Sequence, residues 1–179
     1  MNRKIILNLA ISLDGFIANE KGGFDWIKGD GDNSHDTKQK FDFPKFVEEI
    51  DILVMGRRAY EDCPHETMKT FNSKKIYVAT TKKLESTYDN VIFINGDICK
   101  QILKLKKEKG KGIWIWGGAK LADPFIKENI IDEYIIGIIP IILGKGRPLF
   151  LGNNPTIKLH LKESTTQEGI VILKYDKRE

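Results

Sequence analysis

The chain has 179 residues, of which 41% are hydrophobic and 30% are charged, and its formal net charge is +4. These proportions are typical of a soluble globular protein. The small excess of positive charge requires neither nucleic acid nor an anionic membrane as a partner, and no apolar run has the length of a membrane span. Cys63 and Cys99 form no C-x-x-C pair, so we expect reduced thiols in a cytoplasmic protein. The length predicts one domain over residues 1–179.

The N-terminal part predicts a strand, a turn and a long loop. Residues 4–11 are apolar enough to lie inside a sheet, and the turn that follows contains Asp14 before a glycine. An aspartate in this position is commonly only a turn former, and the functional alternative is that Asp14 closes a strand end facing a ligand. Residues 19–37 are polar and unusually long for a connection, which predicts a binding loop or a lid. Trp26 within them is either a core residue or a ring that covers a ligand, and its polar neighbours favour the ligand.

The rest of the pattern is organised around a buried strand, residues 52–55, that leads through Gly56 into a helix starting with Arg57 and Arg58. Glycine offers no side chain to cap the helix, and the helix dipole disfavours cations in the first turn by roughly 0.3–1 kcal/mol each. An anion held by the free amides and the guanidinium groups would explain both features. The alternative is that the arginines pair with carboxylates of the same helix, such as Glu61.

A second strand meets a helix through glycine later in the chain. The apolar residues 112–116 are followed by Gly117 and Gly118, and a helix starts with Ala119 and Lys120. Without side chains, the two glycines let a phosphate approach the backbone N–H groups closely. An ordinary tight turn is the alternative.

The remaining predicted elements alternate between helix and strand. They are a helix over 41–50, strands over 75–81 and 91–94, a helix over 98–109, an apolar run over 130–143, and strands over 157–161 and 170–175. Pro140 interrupts the apolar run, which implies either a bulge or the exit of the strand from the sheet at that point. The alternation predicts an α/β fold, a three-layer α/β/α sandwich with a C-terminal antiparallel hairpin.

If the strands over 52–55 and 112–116 run parallel, both glycine-led helices start at the same edge of the sheet, where open α/β folds bind their ligands. Two such helix starts predict a ligand with several phosphates, and a nucleotide cofactor is the natural candidate. The sequence contains no G-x-G-x-x-G, no P-loop, no G-x-S-x-G elbow and no metal-spaced His and Cys set. It therefore gives little support to a standard Rossmann protein, a hydrolase or a metalloenzyme, and no metal is predicted.

Four motifs in order resemble the dihydrofolate-reductase-like superfamily, and in particular its branch containing the RibD C-terminal domain of riboflavin biosynthesis. They are residues 12–18 (SLDGFIA), 55–61 (MGRRAYE), 116–118 (WGG) and a late motif between Asp132 and Phe150. The resemblance covers nearly the whole chain. It implies a dihydrofolate-reductase-like fold with a mostly parallel central sheet. It also implies an NADPH-dependent reductase that acts on a small pyrimidine- or pterin-like heterocycle, similar to 5-amino-6-(5-phosphoribosylamino)uracil reductase.

The resemblance also implies which residues bind the cofactor. The matching positions are Gly56, Arg57 and Arg58 for phosphates, Thr80 and Thr81 for the adenosine ribose and its 2′-phosphate, Gly117, Gly118, Ala119 and Lys120 for the pyrophosphate, and Ala10 and Ile17 for the nicotinamide. An arginine beside the 2′-phosphate would favour NADPH over NADH, because its charge-assisted hydrogen bonds find a partner only in NADPH.

The first functional hypothesis is therefore hydride transfer from NADPH to a C=N or C=O bond. In it, Asp14 orients the substrate or relays a proton, and Trp26 covers the site. A non-catalytic NADP(H)-binding module and a dihydrofolate reductase proper are the alternatives. Dihydrofolate reductases carry an acidic residue on the helix before the Met-Gly-Arg strand. The corresponding region here offers Asp36 and Asp42, and neither is assigned to that position. We also expect a homodimer, with residues 130–143 as a possible interface.

Overall fold

The computed structural model describes residues 3–178. Its strands are β1 (Ile5–Ser12), β2 (Phe16–Ala18), β3 (Ile50–Gly56), β4 (Lys75–Ala79), β5 (Val91–Ile94), β6 (Gly112–Gly117), β7 (Glu133–Ile139), β8 (Arg147–Pro148), β9 (Leu159–Gln167) and β10 (Ile170–Lys177). Its helices are α1 (Phe43–Glu48), α2 (Arg57–Glu61), α3 (His65–Thr70), α4 (Ile98–Lys106) and α5 (Ala119–Lys127).

The central sheet has eight strands in the order β5-β4-β3-β6-β1-β7-β10-β9. The strands from β5 to β7 in this order are parallel, whereas β10 is antiparallel to both β7 and β9. The predicted mostly parallel sheet with a C-terminal antiparallel hairpin is therefore confirmed. The apolar run ends its strand at Ile139, directly before Pro140, because proline cannot donate to a strand ladder.

Helices cover both faces of the sheet. On one face, α4 and α5 pack Ile102 and Phe125 against the strands, and both side chains are fully buried. On the other face, α1 and α3 contribute Phe46 and Met68 to a second buried cluster. Parallel strands buried on both faces are apolar along their whole length, which is why Leu53 and its neighbours in β3 form an unbroken apolar run.

The long loop between β2 and α1 is docked against the turn between β9 and β10. The amide of Asp30 donates to the carbonyl of Glu168 at 2.9 Å, and the amide of Thr37 donates to the carbonyl of Thr166 at 3.0 Å. In return, the amide of Glu168 donates to the carboxylate of Asp36 at 2.7 Å. The loop is thus fixed at its centre by long-range hydrogen bonds, and its predicted role as a lid stays a prediction.

Two short strands form a separate sheet that the sequence did not predict. β2 pairs antiparallel with β8, and the amide of Leu149 donates to the carbonyl of Gly15 at 3.0 Å. Strands of three and two residues are too short to show an alternating pattern. Within residues 3–178, no helix combines the length and the apolar character needed to cross a membrane.

Candidate functional site

The candidate site lies along the sheet edge at which the parallel strands end. Because β3, β4, β5 and β6 run parallel, Gly56, Thr80, Asn95 and Gly117 all follow or terminate strands at this same edge. β3 and β6 are neighbours, and Met55 pairs with Gly117. The two predicted glycine-led helix starts are therefore adjacent in space, as the parallel arrangement requires.

Neither glycine-led helix has a side-chain cap. α2 starts after Gly56 and α5 after Gly118, and no side-chain oxygen accepts a hydrogen bond from the first-turn amides of either helix within the described chain. The first N–H groups of a helix have no partner inside the helix, so these amides are available to a ligand. A Cβ added at Gly56 would lie 3.9 Å from the Cβ of Leu121, which shows how closely the two helix starts approach each other.

The turn into α5 depends on glycine at its first position. Gly117 has a φ of 114°, a conformation that residues with a side chain rarely adopt, and the peptide bond to Gly118 is cis. A Cβ built on Gly117 would have no atom within 4 Å, and one on Gly118 would lie 3.6 Å from Cδ1 of Ile17. The structure thus leaves open space beside Gly117 and brings Ile17, a predicted nicotinamide contact, next to the glycine turn.

A cleft of about 310 Å³ opens beside α2, at the ends of β4 and β5. It brings together Arg57, Thr80 and Thr81, which the resemblance assigns to the adenosine ribose and the phosphates. Thr80 is buried, and its hydroxyl accepts a hydrogen bond from the amide of Lys82 at 3.0 Å. The guanidinium group of Arg57 and the threonine hydroxyl groups give this cleft hydrogen-bond donors and acceptors.

The sequence interpretation missed part of this cleft. Asn95, Gly96 and Ile98 line it together with the predicted residues. The sequence could have indicated them, because an Asn-Gly pair that directly follows a buried parallel strand lies at the same sheet edge as the other glycine turns. Gly96 has a φ of 84°, and no atom lies within 4 Å of the place its Cβ would occupy.

The two arginines of α2 have different surroundings. Arg57 forms an ion pair with Glu61, one turn further along the helix, so the alternative interpretation of the sequence holds for this residue. Exposed pairs of this spacing are worth only about 0.3–0.5 kcal/mol, so an anion could take the place of Glu61. Arg58 is exposed and has no ion-pair partner within residues 3–178. Lys120, in the first turn of α5, is also exposed.

Asp14 anchors a loop at the same sheet edge. Its carboxylate accepts hydrogen bonds from the amides of Leu143 and Gly144 at 3.1 and 2.7 Å, and from the hydroxyl of Ser12 at 2.6 Å. The Ser12 hydrogen bond and then the two amides hold the pKa of this carboxyl below its ordinary value. A carboxylate held in its charged form is a poor proton donor. These contacts describe a positioning residue, and the proton relay predicted for Asp14 stays a prediction.

Trp26 is buried within its own loop. Its side chain is only 7% exposed, and its indole N–H donates to the carbonyl of Gly23 at 3.2 Å. Of the two interpretations that the sequence allowed, the structure shows the core residue. Contact with a substrate would need the loop to rearrange, and this role stays a prediction.

Neither acidic candidate for a folate site is free. Asp42 caps α1 by accepting from the amide of Lys45 at 2.9 Å. Asp36 accepts from the amide of Glu168 and pairs with Lys40 at 3.0 Å. Both carboxylates therefore have structural partners. In the part of the chain that the structure describes, no group of three or more His, Cys, Asp or Glu side chains is placed to hold a metal ion.

Comparison with known protein families identifies the relatives of this chain. The family model of the RibD C-terminal domain matches residues 3–173. The chain belongs to the RibD C-terminal domain family. A relative from Bacillus subtilis (strain 168), the uncharacterized protein YwjB, is 40% identical over 173 residues, which are 94% of this chain and 94% of YwjB.

Solved structures extend this relationship. A protein from Shewanella sp. PV-4 that is named for riboflavin biosynthesis superposes with a TM-score of 0.80 at 27% identity, over 100% of both chains. The diaminohydroxyphosphoribosylaminopyrimidine deaminase/5-amino-6-(5-phosphoribosylamino)uracil reductase of Thermotoga maritima gives a TM-score of 0.69 at 15% identity, over 99% of this chain and 57% of that one. Dihydrofolate reductase from Enterococcus faecalis, solved with NADP(H), gives 0.59 at 15% identity, over 100% of both chains. The predicted dihydrofolate-reductase-like fold is therefore confirmed.

Proposed function

We propose that this member of the RibD C-terminal domain family is an NADPH-dependent reductase that reduces a C=N or C=O bond in a small pyrimidine- or pterin-like heterocycle. One observation carries the proposal. Two helices without side-chain caps start at glycines on neighbouring strand ends, and the cleft containing Arg57, Thr80 and Thr81 opens beside α2, the first of them. Free amides and guanidinium groups in one place are the donors that a dinucleotide with several phosphates needs.

The residues present fit this cofactor. The space beside Gly117 is open, so a pyrophosphate would meet the amides of the α5 start without a side chain in the way. In the proposal, the residues from Gly117 to Lys120 hold the pyrophosphate. Gly56 and Arg58 bind phosphate oxygens, and Arg57 with the two threonines holds the adenosine ribose and the 2′-phosphate. When bound, the cofactor supplies the hydride.

The side chains of this protein have three tasks in the reaction. Ala10 and Ile17 are half-buried and apolar, and they give the nicotinamide ring a surface against which to lie. Asp14 holds the loop around Leu143 and Gly144 against the end of β1 and so fixes one wall of the site. The loop of residues 19–37, docked on the β9–β10 turn, limits the access of water.

For the substrate we propose a riboflavin-pathway-type heterocycle. The Thermotoga maritima relative is named as a 5-amino-6-(5-phosphoribosylamino)uracil reductase, and a related pyrimidine would suit a site of this family. Dihydrofolate is a weaker candidate, because Asp36 and Asp42 already bind the chain's own groups. The single domain over residues 1–179, the homodimer and the cytoplasmic location expected from the sequence remain part of this proposal.

Calorimetric titration with NADPH and with NADH tests the cofactor assignment. We expect NADPH to bind more tightly than NADH, and the absence of binding by either nucleotide would overturn the proposal. Oxidation of NADPH with a panel of pterins, pyrimidine precursors of riboflavin and quinones then tests turnover. Binding without oxidation of NADPH by any of these compounds would favour the non-catalytic NADP(H)-binding module. The observation that supports this module is that the carboxylate of Asp14 already accepts hydrogen bonds from the chain's own groups, which lower its pKa.

A further inference from the structure

A second cavity, of about 490 Å³, lies at the other end of the sheet. The C-terminal end of α5, strands β7, β9 and β10, and the segment 150–157 surround it. It shares no lining residue with the cleft beside α2. Its volume is within the range of roughly 300–1,000 Å³ found for sites that bind small molecules.

The lining of this cavity is entirely uncharged and mostly aliphatic or aromatic. Its floor includes Ile126, which is buried, whereas Phe150 at its rim is 51% exposed and Pro155 is also exposed. The buried Ile126 and the exposed Phe150 and Pro155 together mean that the cavity opens to solvent. The absence of charge in the lining excludes a charged ligand, whose desolvation would find no compensating partner.

Two polar groups of the lining lack partners. The hydroxyl of Tyr134 and Oδ1 of Asn154 are both buried, and neither has a hydrogen-bond partner among residues 3–178. Tyr134 is only 4% exposed. Buried polar groups in native proteins are nearly always paired, so two such groups lining one cavity need an explanation. A partner that enters from outside the chain provides one.

The chemistry of the two groups defines this partner. Burial raises the pKa of Tyr134 to about 12, so its hydroxyl remains protonated and has a hydrogen to donate. The side-chain oxygen of Asn154 can only accept. A hydroxyl group on the ligand can accept from the tyrosine and donate to the asparagine at the same time.

We propose that this cavity binds a small uncharged molecule with an apolar body and one hydroxyl group, which accepts a hydrogen bond from Tyr134 and donates one to Asn154. The inference is independent of the proposed reductase activity, because no residue of the cofactor site takes part. A phenol or an alcohol of about ten heavy atoms suits the apolar walls.

Methyl NMR of the full chain tests the proposal with three matched probes. We would label isoleucine and leucine methyl groups and titrate 4-ethylphenol, ethylbenzene and 4-ethylbenzoate. We expect saturable shifts confined to the methyl groups around the cavity, such as those of Ile136 and Leu173, with 4-ethylphenol binding about 5- to 10-fold more tightly than ethylbenzene. The benzoate should not bind, because its carboxylate would be desolvated among apolar groups.

Variants separate the hydroxyl contact from simple filling of an apolar space. Tyr134→Phe removes the donor and should abolish the preference for 4-ethylphenol over ethylbenzene, and Asn154→Ala should reduce it. Tyr175→Phe is the matched control, because Tyr175 lines the same cavity but its hydroxyl is not among the buried atoms without partners. We expect Tyr175→Phe to keep the preference within about twofold.

Several results would overturn the inference. Equal affinity for ethylbenzene and 4-ethylphenol, an unchanged preference in both Tyr134→Phe and Asn154→Ala, or no saturable shift would each do so. If light scattering shows a dimer, and if the methyl groups around the cavity shift on dilution to monomer and not with any probe, then a second copy of the chain covers the cavity and the small-molecule site is wrong.

Discussion

The helices of this protein start in two different ways. α1 and α4 each start behind an aspartate, and Asp42 and Asp97 accept hydrogen bonds at 2.9 Å from the amides three residues further on. α2 and α5 start behind Gly56 and Gly118, which provide no such acceptor. α4 and α5 both have nine residues and both start at the same sheet edge. Length and position in the fold therefore do not explain the difference between their caps.

The comparison indicates where the chain leaves donors for a ligand. At the ends of β1 and β5 its own carboxylates, those of Asp14 and Asp97, satisfy the nearby backbone amides. At the ends of β3 and β6 glycines leave the amides free. α3 also lacks a side-chain cap, but it follows Pro64 in a connecting segment and carries the acidic Glu66 in its first turn. The two glycine-led starts are thus the ones that combine free amides with cations.

Among the variants that test the uncapped helix starts, Gly117→Val should have the largest effect on NADPH binding. We expect NADPH affinity to fall about 100-fold, because the side chain would occupy the open space beside the α5 start and cost roughly two hydrogen bonds to a charged group. The positive φ should also lower the free energy of unfolding by roughly 1–2 kcal/mol. Calorimetric titration and urea unfolding measure the two effects.

Gly152→Val is the matched control for backbone strain. Gly152 has a φ of 85°, lies in open space and is outside both the glycine turns and the loop of residues 19–37. We expect a similar loss of stability with unchanged NADPH affinity. If the two variants bound NADPH with equal affinity, the start of α5 would not be part of the cofactor site.

Arg57→Ala and Arg58→Ala test which phosphate group of the cofactor each arginine contacts. Arg57 lines the cleft with Thr80 and Thr81, so we expect its loss to weaken NADPH binding about 10-fold and leave NADH binding nearly unchanged. Arg58→Ala should weaken both nucleotides to a similar extent. Arg178→Ala, at an exposed position near the end of the described chain, serves as the control for net charge. A NADPH to NADH ratio that is the same in all four proteins would contradict this division.

Adding a cap to α5 and removing the cap of α1 should have moderate effects of opposite sign on stability. Gly118 has φ −77° and ψ −168°, which an aspartate can adopt. We expect Gly118→Asp to raise the free energy of unfolding by roughly 0.3–0.5 kcal/mol and to weaken NADPH binding, since the carboxylate would take the amides and repel phosphate. Asp42→Ala should lower stability by about 1 kcal/mol without changing NADPH affinity. Tighter NADPH binding by Gly118→Asp would contradict the inference that the uncapped amides of α5 bind the cofactor.

The smallest effect concerns Asp14 and pH. Its pKa is lowered in the folded protein, chiefly by the Ser12 hydroxyl and then by the amides of Leu143 and Gly144. The stabilisation is therefore fully present above the ordinary aspartate pKa of about 3.9 and is lost as the pH falls through the lowered value. We expect the difference in unfolding midpoint between the wild type and Asp14→Asn to shrink as the medium becomes more acidic. A difference that stays constant with pH would mean that the carboxylate charge is not what holds the loop.

Much of the fold could be predicted because its strands are buried on both faces. The apolar runs at 52–55, 75–81, 91–94 and 112–116 correspond to β3, β4, β5 and β6, and Pro140 ends β7 as expected. The glycine turns could also be predicted, because the residue types in the local sequence are enough to indicate them. The predicted helix over 98–109 ends earlier, at Lys106, and its lysine-rich end lies outside the helix.

The parts that could not be predicted depend on contacts between distant residues. The hydrogen bonds that dock Asp36 and Thr37 on the β9–β10 turn join residues about 130 positions apart. No local pattern encodes such pairs. The burial of Trp26 could not be read from its neighbours in sequence, which are polar, because it depends on how the loop folds back on itself. α3 was missed because His65–Thr70 has no clear apolar face.

The position of β1 has a consequence for how the chain reaches its native state. β1 is the first strand in sequence, yet it pairs with β6 and β7, so that Ile5 meets Ile113 and Ser12 meets Ile139. During synthesis, β3, β4 and β5 can associate early, while both edges of β1 stay without partners until more than 100 further residues have left the ribosome. Such non-local pairing slows folding and leaves an apolar strand exposed to other chains. We therefore expect the nascent chain to be most prone to aggregation before residues 112–139 emerge.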